Sequence, residues 1–171
     1  MINFIKKIVM FFIALVIIKH LIRLSVFFLE QYRRIYYHAR YRYYFPKGGD
    51  SFLHGHTEVK YPENIVIGNN VVIGPGCTLG GKSKIELGDY VRISKDVVIE
   101  TAGLNFYGNL PYEHISKPIL IEKGVWIGTR AIILGGVIIG ENSIIGAGSI
   151  ISKDIPSNSI VVGNGRILTR K

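Results

Sequence analysis

The chain has 171 residues, a formal net charge of +9 and one cysteine, Cys77. That length admits one domain of ordinary size with an appendage, and a lone cysteine excludes an internal disulfide and fits a reducing compartment. The charge is uneven: residues 1–47 hold nine Lys/Arg against Glu30 alone, while the remainder holds twelve basic against eleven acidic residues. The basicity therefore belongs to the N-terminal segment and not to the body of the chain.

The first element is a hydrophobic helix within residues 1–47. Ile8 to Ile18 is an unbroken apolar run, which resumes at Leu21, Ile22, Leu24 and Val26 to Leu29. As a helix, residues 8–29 span about 33 Å, enough to cross a bilayer. Lys19, His20 and Arg23 interrupt the run on one helical face, and each charge costs roughly 2.5–3.5 kcal/mol at the bilayer centre. A helix lying in the interface, or three helices hiding that stripe from lipid, costs less than a lone span. The Tyr- and Arg-rich stretch Tyr32 to Phe45 suits the headgroup zone. A basic, aromatic stretch also fits nucleic acid, but its direct abutment on the apolar run favours the membrane, and no nucleic-acid partner is expected. No small-x-small cleavage site follows the run, which argues against a removed leader. The positive flank places the downstream domain on the cytoplasmic face. Pro46 to Asp50 marks the boundary to a second domain, residues 48–171, in which 51–66 form a lead-in capping the first repeat.

From Ile67 the chain counts in sixes. Ile67, Ile73 and Leu79 form one series, Leu87, Ile93 and Ile99 a second, and Ile121, Ile127, Ile133, Ile139, Ile145 and Ile151 a third. Seven of these twelve positions are followed by Gly, whose freedom at φ > 0 suits tight corners. Four residues after most of them stands a small or β-branched residue, such as Val71, Cys77, Ala131 or Ser149. Short β-branched stretches alternating with Gly, Asn, Asp and Pro are strand and turn chemistry, and a period of six fits no helix. Such a unit buries its apolar residue only against copies of itself. The expectation is an all-β parallel solenoid of about four triangular coils, each of about 18 residues and about 4.8 Å from the next. Cys77 falls at a small inward position and reads as core.

The count breaks once. Ile121 comes 22 positions after Ile99, where six would continue the count, and the phase then resumes, so residues 103–118 leave the coil as a loop. Loops on rigid scaffolds carry function, and this one holds His114. An imidazole that titrates near neutrality can take a proton from a hydroxyl or amine. His114 is the candidate general base, with Asn105, Tyr107 and Glu113 on the same loop as candidate acceptor contacts. His54 and His56 precede the repeats, and no further His on the coils completes a metal set; no metal is expected.

The repeat resembles the hexapeptide-repeat acyltransferases, which implies that the solenoid is a left-handed parallel β-helix. Thr101-Ala102-Gly103, Lys117-Pro118-Ile119 and Val125-Trp126-Ile127-Gly128 are similar to the sugar O-acetyltransferase branch, including the maltose, galactoside and capsule or exopolysaccharide acetyltransferases. In that branch the catalytic His directly follows Thr-Ala-Gly; here Leu104 stands there, and His114 is expected to reach the same pocket from the other arm of the loop. Gly76 replaces an Asn often seen in the first coil. Ser149 to Pro156 and Val162 to Arg166 resemble the family's last coil and tail, here residues 157–171, with Gly165 in place of the usual Pro. The resemblance implies acetyl-CoA as donor. Lys153, Arg166 and Arg170 are then the partners of its phosphates, Thr129 and Ala147 line its pantetheine arm, Ser152 bonds nearby, and Trp126 lies beside the active site. It also implies a homotrimer with sites between subunits.

Together these readings describe a membrane-attached, cytoplasm-facing O-acetyltransferase of a sugar hydroxyl on a cell-surface polysaccharide precursor, such as a lipid-linked glycan. N-acylation of an amino sugar is the alternative within enzymes. A catalytically inactive trimeric scaffold at the membrane is the alternative outside them, and Leu104 keeps it open.

Overall fold

The computed structural model describes residues 2–163 and 165–169. Helix α1 runs from Ile2 to Tyr44, and the chain separates into two compact units, Met1–Tyr36 and Tyr37–Lys171. The first unit is helix throughout its described length. Met10–Tyr44 of α1 is long and apolar enough to cross a membrane: its most apolar 18-residue stretch has a mean hydropathy of 2.2, and none of that stretch is buried.

The second unit contains the last helical residues and the repeats. Tyr41 and Phe45, one helical turn apart, are buried in a core shared with Leu53, Ile65 and Ile67. The Tyr41 hydroxyl donates to the Gly49 carbonyl at 3.2 Å. Two aromatics of the stretch expected at lipid headgroups thus serve the core. Their spacing puts both on one side of the helix, and the apolar end of the first coil needs covering.

Among the described residues the chain winds through five coils and begins a sixth. Coil one runs through β1 (Phe52–Leu53), β2 (Glu58–Lys60) and β3 (Ile65–Ile67), and coil two through β4 (Val72–Ile73), β5 (Thr78–Gly80) and β6 (Ile85–Leu87). Coil three contains β7 (Arg92–Ile93) and β8 (Val98–Glu100), leaves as β9 (Ala102–Leu104) and β10 (His114–Ser116), and returns at β11 (Ile119–Ile121). Coil four is β12 (Trp126–Ile127), β13 (Ile132–Leu134) and β14 (Ile138–Ile139), and coil five is β15 (Ile144–Ile145), β16 (Ile150–Ile151) and a bridge at Ile155. β17 (Ser159–Val162) opens the sixth, and β18 (Arg166–Thr169) folds back antiparallel on it. The strands stack as three parallel faces: β1-β4-β7-β12-β15-β17, then β2-β5-β8-β13-β16, then β3-β6-β11-β14. The fold is a left-handed parallel β-helix with one N-terminal helix.

The sixfold series is the core. All twelve count positions are buried, as are the small residues four places on, from Val71 and Cys77 to Ser143 and Ser149. Burial pushes the Cys77 thiol above its ordinary pKa, and its Sγ donates to the Ser94 carbonyl at 3.1 Å.

Three expectations need correction. Residues 51–66 are not a cap: they are coil one itself, paired in register with coil two from Phe52↔Val72 to Ile67↔Leu87. The coils are not uniformly of 18 residues. Lys60 pairs with Gly80 and Gly80 with Glu100, a step of 20, whereas Trp126 pairs with Ile144, a step of 18. The extra residues sit at one corner, which coil two turns with residues 81–84 and coil four with 135–136. The repeat glycines, finally, are not there for φ > 0. The left-handed residues lie instead at Tyr61, Asn70, Tyr90, Asp96, Arg130, Asn142 and Asn158 and at glycines outside the sixfold series. Gly74 and Gly128 are required because a Cβ there would fall 2.7 Å from the Ser94 carbonyl carbon and 2.6 Å from the Ala147 nitrogen of the neighbouring coil.

Candidate active site

The interruption is an ordered hairpin. β9 and β10 pair antiparallel with Ala102↔Ser116, Gly103↔Ile115 and Leu104↔His114. Its base is pinned to coil two. The Thr101 hydroxyl donates to the Gly80 carbonyl at 2.7 Å and accepts the Ser83 N–H at 2.9 Å. Ser83 Oγ donates to Ser116 Oγ at 2.7 Å, and the Lys117 N–H donates to the Thr101 carbonyl at 3.0 Å. Thr101 is itself buried, so the root of the hairpin is a satisfied polar joint.

His114 and Leu104 are direct cross-strand partners, so their side chains leave the same face of the ladder. His114 is exposed and opens onto a cleft of about 370 Å³, lined also by Lys60, Tyr61, Lys82, Glu100 and Ala102. Glu100 ends β8 just before the hairpin, and its Oε1 accepts the Ala102 N–H at 3.0 Å, which fixes the carboxylate at the hairpin's foot. Gly80 lies directly beneath it in register. A side chain at Gly80 would collide with that carboxylate, so the glycine keeps the cleft open.

The other hairpin residues sit elsewhere. Asn105 builds the turn: its N–H donates to the Glu113 carbonyl at 2.9 Å, and its Oδ1 accepts the Tyr107 N–H at 3.2 Å. Tyr107 is fully exposed at the tip, where Phe106 and Tyr112 meet edge to face at 5.6 Å. The side chains of Asn105, Tyr107 and Glu113 are not among the cleft's lining. Glu100, Lys60, Tyr61 and Lys82 are cleft residues that the sequence reading missed. Their signal was the 20-residue coil, which stacks positions 60, 80 and 100.

The residues assigned to the donor lie on coils four to six. Trp126 is exposed on the first face, between Arg92 and Ile144 in register, and its Nε1 donates to Ser94 Oγ at 3.1 Å. Thr129 and Ala147 stack at the next corner, where the Gly148 N–H donates to the Thr129 carbonyl at 2.8 Å. Ser152 and Lys153 are exposed just after β16, and Arg166 is exposed at the start of β18. Arg170 lies outside the described residues. A single copy does not bring Trp126, Thr129 and Ala147 to His114: they occupy one face and its corner, and His114 a different corner, at which Ser152 and Lys153 follow β16 two coils on. His54 and His56 lie in coil one, where His56 Nδ1 is 3.0 Å from Arg40 Nη1.

A family model described as bacterial transferase hexapeptide (six repeats) matches residues 118–153. The galactoside O-acetyltransferase of Escherichia coli K12 is 36% identical over 118 residues, covering 68% of this chain and 58% of that enzyme. The chain thus spans a little over half the length of the curated relatives it matches. Among solved structures, a hexapeptide-repeat acetyltransferase of Vibrio cholerae O1 biovar eltor complexed with acetyl-coenzyme A is similar with a TM-score of 0.71. It is 31% identical, over 77% of this chain and 74% of that one. A maltose O-acetyltransferase of Clostridium difficile 630 is similar with a TM-score of 0.64 and 34% identity, over 69% of this chain and 65% of that one.

Proposed function

Because this chain belongs to the hexapeptide-repeat acetyltransferases, we propose that it transfers an acetyl group from acetyl-CoA to a sugar hydroxyl, with His114 as general base. The observation that carries this reading is the Leu104↔His114 pair. The imidazole absent from the position after Thr-Ala-Gly is supplied by the residue directly across the hairpin, on the same face and at the mouth of a cleft. His114 takes the proton of the acceptor hydroxyl as that oxygen bonds to the acetyl carbonyl carbon. The C–S bond then breaks, and the sulfur leaves as the thiol with the proton carried by His114. Glu100, held by the Ala102 N–H, shares the cleft with the imidazole.

The donor is assigned to the corner formed by Thr129 and Ala147, with Ser152, Lys153 and Arg166 toward its phosphates and Trp126 alongside. Trp126, Thr129 and Ala147 lie on a different edge of one copy from His114, which supports a homotrimer with each site shared by two subunits. The apolar run of α1 supports attachment to a membrane, and its basic flank supports a cytoplasmic orientation of the second unit. A precursor of a cell-surface polysaccharide, lipid-linked in the same membrane, is the acceptor most consistent with that attachment.

The test is thiol release from acetyl-CoA with a panel of sugar acceptors. His114→Ala is expected to lower the rate about 10²–10⁴-fold while CoA binding persists. The double variant Leu104→His/His114→Leu, which returns the imidazole to the other strand, is expected to recover part of that loss. Full activity in His114→Ala would refute the assignment of the base.

A further inference from the structure

The cleft in front of His114 has a charge pattern that a neutral sugar does not call for. Its lining carries two ammonium groups, Lys60 and Lys82, and one carboxylate, Glu100. Lys82 has no carboxylate within 4 Å among the described residues. Lys60 has Glu58 at 3.3 Å, but both side chains are half exposed, and such a pair is weak and readily exchanged. Glu100 already accepts the Ala102 N–H and sits at the His114 end.

The charges are also ordered along the coils. Lys60 ends β2 on coil one, Lys82 follows β5 on coil two, and Glu100 and the hairpin bearing His114 belong to coil three. Two coil steps separate the Lys60 backbone from that of Glu100, about 10 Å. Donors and acceptors for a hydroxyl thus lie at one end, and cationic groups at the other. The groups assigned to the donor occupy coils four to six, on the far side of His114, so the cleft is left to the acceptor. Tyr61, half exposed on the rim beside Lys60, offers a ring face to a sugar.

We propose that the acceptor is an anionic sugar, one bearing a phosphate or diphosphate that Lys60 and Lys82 bind while Glu100 and His114 face the reacting hydroxyl. This rests on the acetyltransferase reading for the roles of His114 and the donor groups, but the basic subsite is measurable without turnover. The phosphate has two sources, a lipid-linked diphosphate or a soluble sugar phosphate. Coil one, which carries Lys60, is also the coil whose core contains Tyr41 and Phe45, where the chain passes from α1 into the repeats.

The experiment is calorimetric titration of the full-length protein in detergent micelles, first with CoA and then, at saturating CoA, with inorganic diphosphate, galactose 1-phosphate, galactose and a polyprenyl diphosphate. Saturation fills the donor's own phosphate contacts. The two phosphate probes are expected to bind at least about tenfold more tightly than galactose. The double variant Lys60→Ala/Lys82→Ala is expected to lose at least about tenfold in diphosphate affinity, and the single variant Lys82→Gln part of it. Tighter binding of the polyprenyl diphosphate than of inorganic diphosphate assigns the phosphate to a lipid, and the reverse to a soluble sugar phosphate. Galactose binding as tightly as galactose 1-phosphate, or unchanged diphosphate affinity in a folded double variant, would overturn the proposal. Absent CoA binding would count instead against acetyl transfer and leave the diphosphate titration to decide the subsite.

Discussion

At the residue scale, the repeat glycines and the corner residues obey different physical demands that look alike in sequence. Gly74 has no left-handed φ, yet a methyl group there would lie 2.7–2.9 Å from three backbone atoms of Ser94 and Lys95. Backbone of the adjoining coil has little room to yield, so Gly74→Ala is expected to cost about 2–3 kcal/mol. Gly148 is the converse case: φ is +67° and a Cβ would meet nothing within 4 Å. Gly148→Ala carries only the left-handed penalty, about 1 kcal/mol. Denaturant unfolding of the two variants separates them, and equal losses would contradict the distinction. His114 belongs to this scale too. Its candidacy was legible from type and context, but the side chain it faces was not, because cross-strand register depends on where the hairpin turns.

At the scale of elements, α1 and the hairpin each join two roles. The helix carries an apolar run that none of the described core covers, and then delivers Tyr41 and Phe45 into the core at coil one. A truncation removing residues 1–36 is therefore expected to yield a folded, membrane-free protein. One removing 1–45 strips both aromatics and should lose several kcal/mol of stability, each buried aromatic being worth about 3–5 kcal/mol when truncated. Thermal melts of the two products compare them, and equal melting temperatures would show that the aromatics contribute nothing to the core. The composition of residues 32–45 read as headgroup chemistry, because Tyr is amphipathic and serves a membrane interface or a core edge equally well. Only the packing of coil one distinguishes the two. The hairpin was legible as an excursion, since the phase resumes at Ile121. Its internal pairing was not, since residues 105–113 have neither the two-residue turn nor the alternation that announces a hairpin.

At the scale of the whole molecule, Trp126, Thr129 and Ala147 lie on a different edge from His114, which is the reason for proposing a site shared between copies. Mixing His114→Ala subunits with Ala147→Asp subunits is then expected to restore activity, with roughly a quarter of the sites wild type on random assembly into trimers. No recovery on mixing would mean that each copy holds a complete site of its own. The sequence alone determined the parallel solenoid, the inward residues and the one place where the coil is left. A short period with a fixed apolar position admits few other ways to bury those side chains. Tertiary structure alone decided the coil lengths, the conversion of 51–66 from cap to coil, and the membership of the cleft. Residues 60, 82, 100 and 114 meet because coils stack about 4.8 Å apart and a hairpin folds back on its root. Those distances are set by register and corner length, which hydrophobic spacing does not encode.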